Sequence, residues 1–227
     1  MARVIAGAAG GRRLAVPDGR NTRPTSDRAR EGLFATVTSI VGPLTGMRVL
    51  DLYAGSGAVG LEALSRGAGH VLLVESGGRA VSVILQNVAA IDLPGATVIA
   101  DRVERVLARG PRPDPTPGPR PGPRPGSGDQ DEDDDASGGR YDVVFADPPY
   151  ALADADVSRM LSLLADEGWL APEALVIVER ATRSGPPHWP DGFVPDRARK
   201  YGEATFWYGL APQNRDLSVA TGSLRRY

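Results

Sequence analysis

Cysteine is absent from this 227-residue chain. Disulfides, thiolate metal sites and a cysteine nucleophile are therefore excluded, and a cytoplasmic setting fits the composition. Histidine is scarce. His70 and His188 are too few for a multi-histidine zinc site, and no metal is expected. No apolar run approaches the roughly 20 residues of a membrane helix, and Met1–Gly7 lacks the apolar core of a secretory leader. No membrane association is expected. Lysine is almost missing: Lys200 stands alone among 26 basic residues, which leaves 25 arginines. Coding bias can produce such a skew, but arginine is also the side chain suited to forked phosphate contacts and base stacking.

The net charge of −2 is unevenly distributed. Residues 1–34 hold seven arginines against Asp18, Asp27 and Glu31, an excess of four positive charges. Arginine gathered at one end reads as a polyanion-binding face, with a merely solvated surface as the alternative. Residues 110–140 run the other way, with four arginines against seven acidic residues. Every odd position from Pro111 to Pro125 is proline. A helix or interior strand is impossible there and nothing apolar is available to bury, so 110–140 reads as a disordered insertion. Residues 211–227 read as a tail.

The remainder alternates strands and helices. Apolar runs at Met47–Tyr53, Val71–Glu75, Ala96–Ala100, Tyr141–Ala146 and Leu175–Glu179 read as strands. Helices are expected at Val59–Arg66, Arg79–Ile91, Val103–Arg109 and Asp154–Glu167. Arg197–Tyr201 and Thr205–Leu210 are expected to close the sheet as a hairpin. Continuous apolar strands separated by helices predict an α/β fold, a mostly parallel sheet covered on both faces. Ahead of it, Val4–Ile5 and Arg13–Val16 suit a small hairpin. Asp27–Val41 suits a helix capped by Thr25 or Ser26.

Two motifs carry chemistry. After the first sheet strand, Gly55, Gly57 and Gly60 form G-x-G-x-x-G, and Glu75 follows Gly55 by 20 residues. Glycines at this point let backbone amides approach a ligand at the switch point of an open sheet. Glu75 can accept hydrogen bonds from two ribose hydroxyls. Asp51, ahead of the glycines, can hold a ligand's ammonium group. That feature favours S-adenosylmethionine over a nicotinamide cofactor, which has no such cation. The turn supplies the candidate cofactor residues Asp51, Tyr53, Ala54, Gly55, Ser56, Gly57, Gly60 and Glu75. Asp101, after the third strand, is added as an acceptor for the adenine amine, with a helix cap as its alternative role.

The second motif, Asp147-Pro148-Pro149-Tyr150, follows the fourth strand. Two prolines force a stiff, extended turn. The Asp147 carboxylate and the Pro148 carbonyl become fixed acceptors beside an aromatic ring. A planar base with an exocyclic amine fits them, with the ring stacked on its face. Asp147, Pro148, Pro149 and Tyr150 are the candidate catalytic residues.

Asp51–Gly57 with Asp147–Tyr150 resembles a class I S-adenosylmethionine-dependent amino-methyltransferase. Arg3–Gly7, Gly11–Leu14, Arg23–Glu31, Leu33-Phe34 and Lys200–Glu203 are similar to the RsmD family, bacterial enzymes that methylate N2 of a guanine in small-subunit ribosomal RNA. Ala6 and Ser26 stand where that family more often has glycine and threonine. The resemblance implies a Rossmann-like domain over 46–210 with a seven-stranded sheet, preceded by an RNA-binding hairpin and helix over 1–45. It also implies 16S rRNA, as the assembling 30S particle, for a substrate. A monomer is expected. Arg3, Arg12, Arg13, Arg23, Arg28 and Arg30 are the candidate RNA contacts.

The residue types also bear on the base. Guanine presents N1–H and N2–H₂ as neighbouring donors, and an ionised Asp147 can accept both. Adenine offers an acceptor at N1, which a carboxylate repels. Three rivals compete: an adenine or cytosine amino-methyltransferase, a nicotinamide dehydrogenase, and a non-catalytic RNA-binding factor. Asp147 and the small size speak against the first, and the lack of an evident acid/base residue against the second. The intact Asp51, Glu75 and Asp147–Tyr150 speak against the third. Glu179 is read as structural and Asp142 as a surface position. Neither histidine is given a catalytic role.

Overall fold

The computed structural model describes residues 2–17, 26–111 and 139–213. Most of the expected insertion, nearly all of the tail, Thr25 and Arg23 lie outside the described residues.

The chain opens with two short antiparallel strands, β1 (Ala2–Arg3) and β2 (Arg13–Leu14). The first arm pairs two residues earlier than the sequence predicts. Ile5 and Ala6 donate their amides to the Glu62 carboxylate instead, at 2.6 and 3.1 Å. Helix α1 (Asp27–Val41) has the expected bounds, and Ser26 caps it by accepting from the Ala29 amide at 3.2 Å.

The sheet then builds from β3 (Arg48–Leu52), α2 (Ala58–Ser65), β4 (His70–Glu75), α3 (Gly78–Ile91), β5 (Ala96–Ala100) and α4 (Val103–Leu107). It continues with β6 (Tyr141–Ala146), α5 (Asp154–Asp166), β7 (Leu170–Ala181), β8 (Val194–Tyr201) and β9 (Ala204–Leu210). Seven strands lie in the order β5-β4-β3-β6-β7-β9-β8. The first five of these are parallel to one another, and β9 runs antiparallel to both of its neighbours, β7 and β8. The chain runs from β3 outward to β5, then returns to the other side of β3 as β6. That reversal is the switch point where open α/β sheets hold ligands.

Alternating strand residues feed two cores. Val49, Val71, Leu73, Phe145 and Ile177 face α1, α2 and α3. Leu50, Leu72, Val74, Val144 and Val176 face α4 and α5. Each fully buried aliphatic side chain stabilises by roughly 1.5–3 kcal/mol. Ala2, Val4, Ala9 and Leu14 are buried in the first of these cores, beside Val49 and Leu61.

Two departures have local causes. β7 begins five residues before the expected strand, across Pro172 and the left-handed Glu173 (φ 56°), and its register with β6 shifts there. These residues interrupt the apolar run that marks the strand in the sequence. Asp142, expected at the surface, is half-buried and has a structural role: its Oδ2 accepts from the Arg48 amide at 2.9 Å and so ties the starts of β3 and β6 together.

Candidate active site

β3 and β6 are neighbours, so the two sequence motifs emerge side by side. The Asp147 amide donates to the Leu52 carbonyl at 3.3 Å, and the Ala54 amide to the Val74 carbonyl at 3.0 Å. Above the strand ends lies a cavity of about 460 Å³. Its walls include Asp51, Tyr53, Ala54, Gly55, Ser56, Glu75 and all four residues Asp147–Tyr150.

Gly60 explains how Asp51 is aimed. A Cβ there would come within 2.8 Å of Val71 and 3.1 Å of the Asp51 carboxylate. Without one, the Gly60 amide donates to Asp51 Oδ2 at 2.8 Å. Asp51 is buried, and desolvation pushes its carboxyl up to about 7, with Asp147 and Glu75 adding negative charge nearby. Asp147 is also raised, by burial. Glu75 is positioned by two amides: Gly55 donates to Oε2 at 2.9 Å and Gly77 to Oε1 at 2.7 Å. Each carboxylate oxygen keeps acceptor capacity for another donor. Tyr53 sits at φ 59° and donates its hydroxyl to Glu104 Oε1 at 3.1 Å. Burial raises that phenol and keeps it protonated.

Three expected cofactor residues lie off the cavity wall. Gly57 and Gly60 are beneath the turn, where they admit Leu73 and Val71. Asp101 is turned away: it accepts from the Arg102 amide at 2.8 Å and from Arg109 Nη2 at 3.1 Å. Val16, Pro17 and Arg79, which sequence reasoning missed, do line the cavity. Val16 and Pro17 arrive through buried Asn87. Its side chain bonds both the N–H and C=O of Ala15, at 2.8 and 3.0 Å, and donates to the Ser56 carbonyl at 2.9 Å. The available signal was an amide on the apolar stripe of α3.

The arginine candidates divide. Arg13 and Arg28 are exposed. Arg3 is exposed and pairs with Asp27 at 3.0 Å. Arg12 donates through Nη1 to the Ala90 and Ile91 carbonyls at 2.8 and 2.9 Å, closing the end of α3. Arg30 is a correction. It is 0% exposed and donates to the Arg3 carbonyl and to Asp27, so it cannot reach RNA. Glu179 is buried at the end of β7, beside Asp147.

Residues 2–114 and 128–209 match the family described as conserved hypothetical protein 95. The chain belongs to this family, the RsmD family that its motifs resemble. Its similarity to the Ribosomal RNA small subunit methyltransferase D of Escherichia coli strain K12 is 31% identity over 204 residues, 90% of this chain and 87% of that one. The solved structure of Escherichia coli yhhF is 29% identical, with a TM-score of 0.73, covering 93% of this chain and 98% of that chain. A hypothetical protein of Thermus thermophilus is 29% identical with a TM-score of 0.67, covering 93% and 99% respectively. Among the described residues, no helix is long and apolar enough to cross a membrane.

Proposed function

We propose that this RsmD-family protein transfers a methyl group from S-adenosylmethionine to the exocyclic N2 of a guanine in 16S rRNA. Its substrate is the assembling 30S particle, and it works as a monomer. The observation that carries this reading is the shared cavity: Asp147–Tyr150 face the same space as Asp51, the glycine turn and Glu75. The methyltransferase names of its relatives support the reaction class.

The donor set fits the cofactor. A volume of about 460 Å³ falls within the few-hundred to ~1,000 Å³ range of small-molecule sites. Asp51 is a buried acid held by the Gly60 amide, and a ligand's ammonium group compensates its charge. Glu75 is held by Gly55 and Gly77 in an orientation suited to a ribose diol. Bound S-adenosylmethionine supplies a methyl group made electrophilic by its sulfonium.

The chain's own residues then orient the base. The guanine is unstacked to enter, as base-modifying enzymes require. Asp147, ionised, accepts from N1–H and N2–H, the Pro148 carbonyl accepts the second N2 hydrogen, and Tyr150 stacks on the ring. This aims the N2 lone pair, and orientation is the main contribution to rate. The N2 proton, acidic once the new C–N bond forms, passes to the Asp147 carboxylate that already accepts its hydrogen bond and from there to solvent.

The test is single-turnover methylation of 30S particles from a strain lacking the enzyme, followed by nucleoside mapping. Wild type should label one guanine at N2. Asp147→Ala should lower turnover by about 100-fold or more and leave cofactor affinity in place. Label on adenine, or cofactor binding by NAD rather than S-adenosylmethionine in calorimetry, overturns the reading.

A further inference from the structure

A second cavity, of about 690 Å³, adjoins the first. Tyr150 lines both. Its other walls include Arg28 at the start of α1, Glu179 near the end of β7, Lys200 of β8, and Glu203 from the turn between β8 and β9. Tyr150 is 56% exposed, and Arg28 and Lys200 are exposed, while Glu179 is only 5% exposed. The walls are fixed relative to one another by a close approach. A Cβ at Gly32 of α1 would lie 2.2 Å from the Tyr201 hydroxyl, so Gly32 lets Tyr201 of β8 seat directly on α1.

We infer that this second cavity takes a nucleotide adjacent to the target guanine on the same RNA strand, read by Glu179 and held at its phosphate by Arg28 and Lys200. The inference rests on the methyl-transfer reading above. A planar ring between two cavities can stack a base on each face, which suits two successive unstacked nucleotides. Single-stranded recognition joins aromatic platforms to cations that track the backbone, and both are present here. Arg28 and Lys200 supply the cations. Glu179 lies one strand over from Asp147, because Ala146 pairs with Val178 in the parallel register. Two carboxylates at adjoining strand ends offer acceptors to two bases in succession. An acceptor-only group selects a base edge that carries an amine. The volume is large enough for a base, its sugar and a phosphate together, on the scale of small-molecule sites.

The test uses the full-length protein, S-adenosylmethionine and 30S particles reconstituted with 16S rRNA. The rRNA either is intact or carries an abasic site immediately 5′ or immediately 3′ of the methylated guanine. The proteins are wild type, Arg28→Ala/Lys200→Ala, Glu179→Gln, and an Arg159→Ala control that removes a charge from α5. The double variant should raise the KM for particles by about tenfold, with kcat at saturating particle and cofactor affinity kept. Arg159→Ala should match wild type. One abasic particle should raise the KM of wild type by more than that of Glu179→Gln, which has already lost the carboxylate contact and keeps only the Tyr150 stack to lose.

Lack of methylation by wild type on intact particles would refute the parent reading. Normal methylation by wild type with an unchanged KM in the double variant would overturn the second-nucleotide site alone. So would wild-type indifference to both abasic positions. Circular dichroism of Glu179→Gln checks its fold. If that variant unfolds, the double variant and the abasic particles with wild type still decide.

Discussion

The glycine turn and the arginine-rich N-terminal segment touch through Asn87, yet they use their charges in opposite ways. At the turn, Asp51, Glu75 and Asp147 all face one cavity. In the N-terminal segment, Arg12 closes a helix end, Arg30 is buried, and Arg3 bonds Asp27. A charge count therefore measures the first region well and overstates the second. The reason is steric. A turn between a strand and a helix must leave its carboxylates above the sheet. Around the N-terminal hairpin, by contrast, Arg3 and Arg12 come within reach of acceptors on α1 and α3, and Arg30 of α1 is enclosed by the core.

The largest break in this comparison should come from Glu62. This side chain is 0% exposed and accepts from the Ile5 and Ala6 amides and from Arg66 Nε at 2.7 Å. Glu62→Ala leaves those donors without their acceptor and should lower stability by about 3–5 kcal/mol. Urea unfolding measures it. A loss under about 1 kcal/mol would mean that apolar contacts alone seat the N-terminal segment.

Glu75→Ala should come next. It removes two charge-assisted acceptors and should weaken S-adenosylmethionine binding by about 2–4 kcal/mol, with unfolding affected less. Unchanged affinity in calorimetry would remove Glu75 from the cofactor site.

The cavity acids should also leave a smaller mark on stability. The Asp51 carboxyl is raised to about 7 from the ordinary aspartate value of 3.8. A raised acid binds more protons folded than unfolded between these values. Its contribution is therefore complete below about 4 and is lost as pH rises through about 7. Between pH 5 and 8, cofactor-free protein should lose stability relative to Asp51→Asn, on the order of 2–3 kcal/mol. Parallel pH–stability curves for the two proteins would show that Asp51 is already compensated.

What the sequence made legible follows from the range of the interactions. The bounds of α1, β5 and β6 were readable because capping and apolar runs are local signals. The glycine turn and Asp147–Tyr150 were readable because each is a continuous motif at a strand end. The third-strand acid carried no signal of its partners, since Arg102 and Arg109, which it bonds, flank the short helix that follows it. Val16 and Pro17 were missed because Asn87, which brings their segment to the turn, lies 72 residues from Ala15. Arg30 had a usable signal. It falls on the same helical stripe as Leu33, Phe34 and Val37, all buried. A charge on that stripe points inward.

The smallest expected effect separates outward arginines from those committed inside. Arg13 and Arg28 are exposed, while Arg3 and Arg12 already bond protein acceptors. Phosphate contacts release counterions, so each one lost should reduce the log–log salt slope of RNA binding by about 0.7 on a single strand or 0.9 on a duplex. Arg13→Ala/Arg28→Ala should therefore flatten the slope by about 1.4 to 1.8. Arg3→Ala/Arg12→Ala carries the same formal charge change. It should instead leave the slope nearly unchanged and shift the unfolding midpoint downward, because it cuts the Asp27 pair and the closure of α3. Salt titration of 30S binding beside thermal unfolding reads both quantities on each protein. Equal slope changes in the two variants would mean that internal bonding does not withdraw an arginine from RNA. The N-terminal segment would then act through its total charge, and the contrast between it and the glycine turn would disappear.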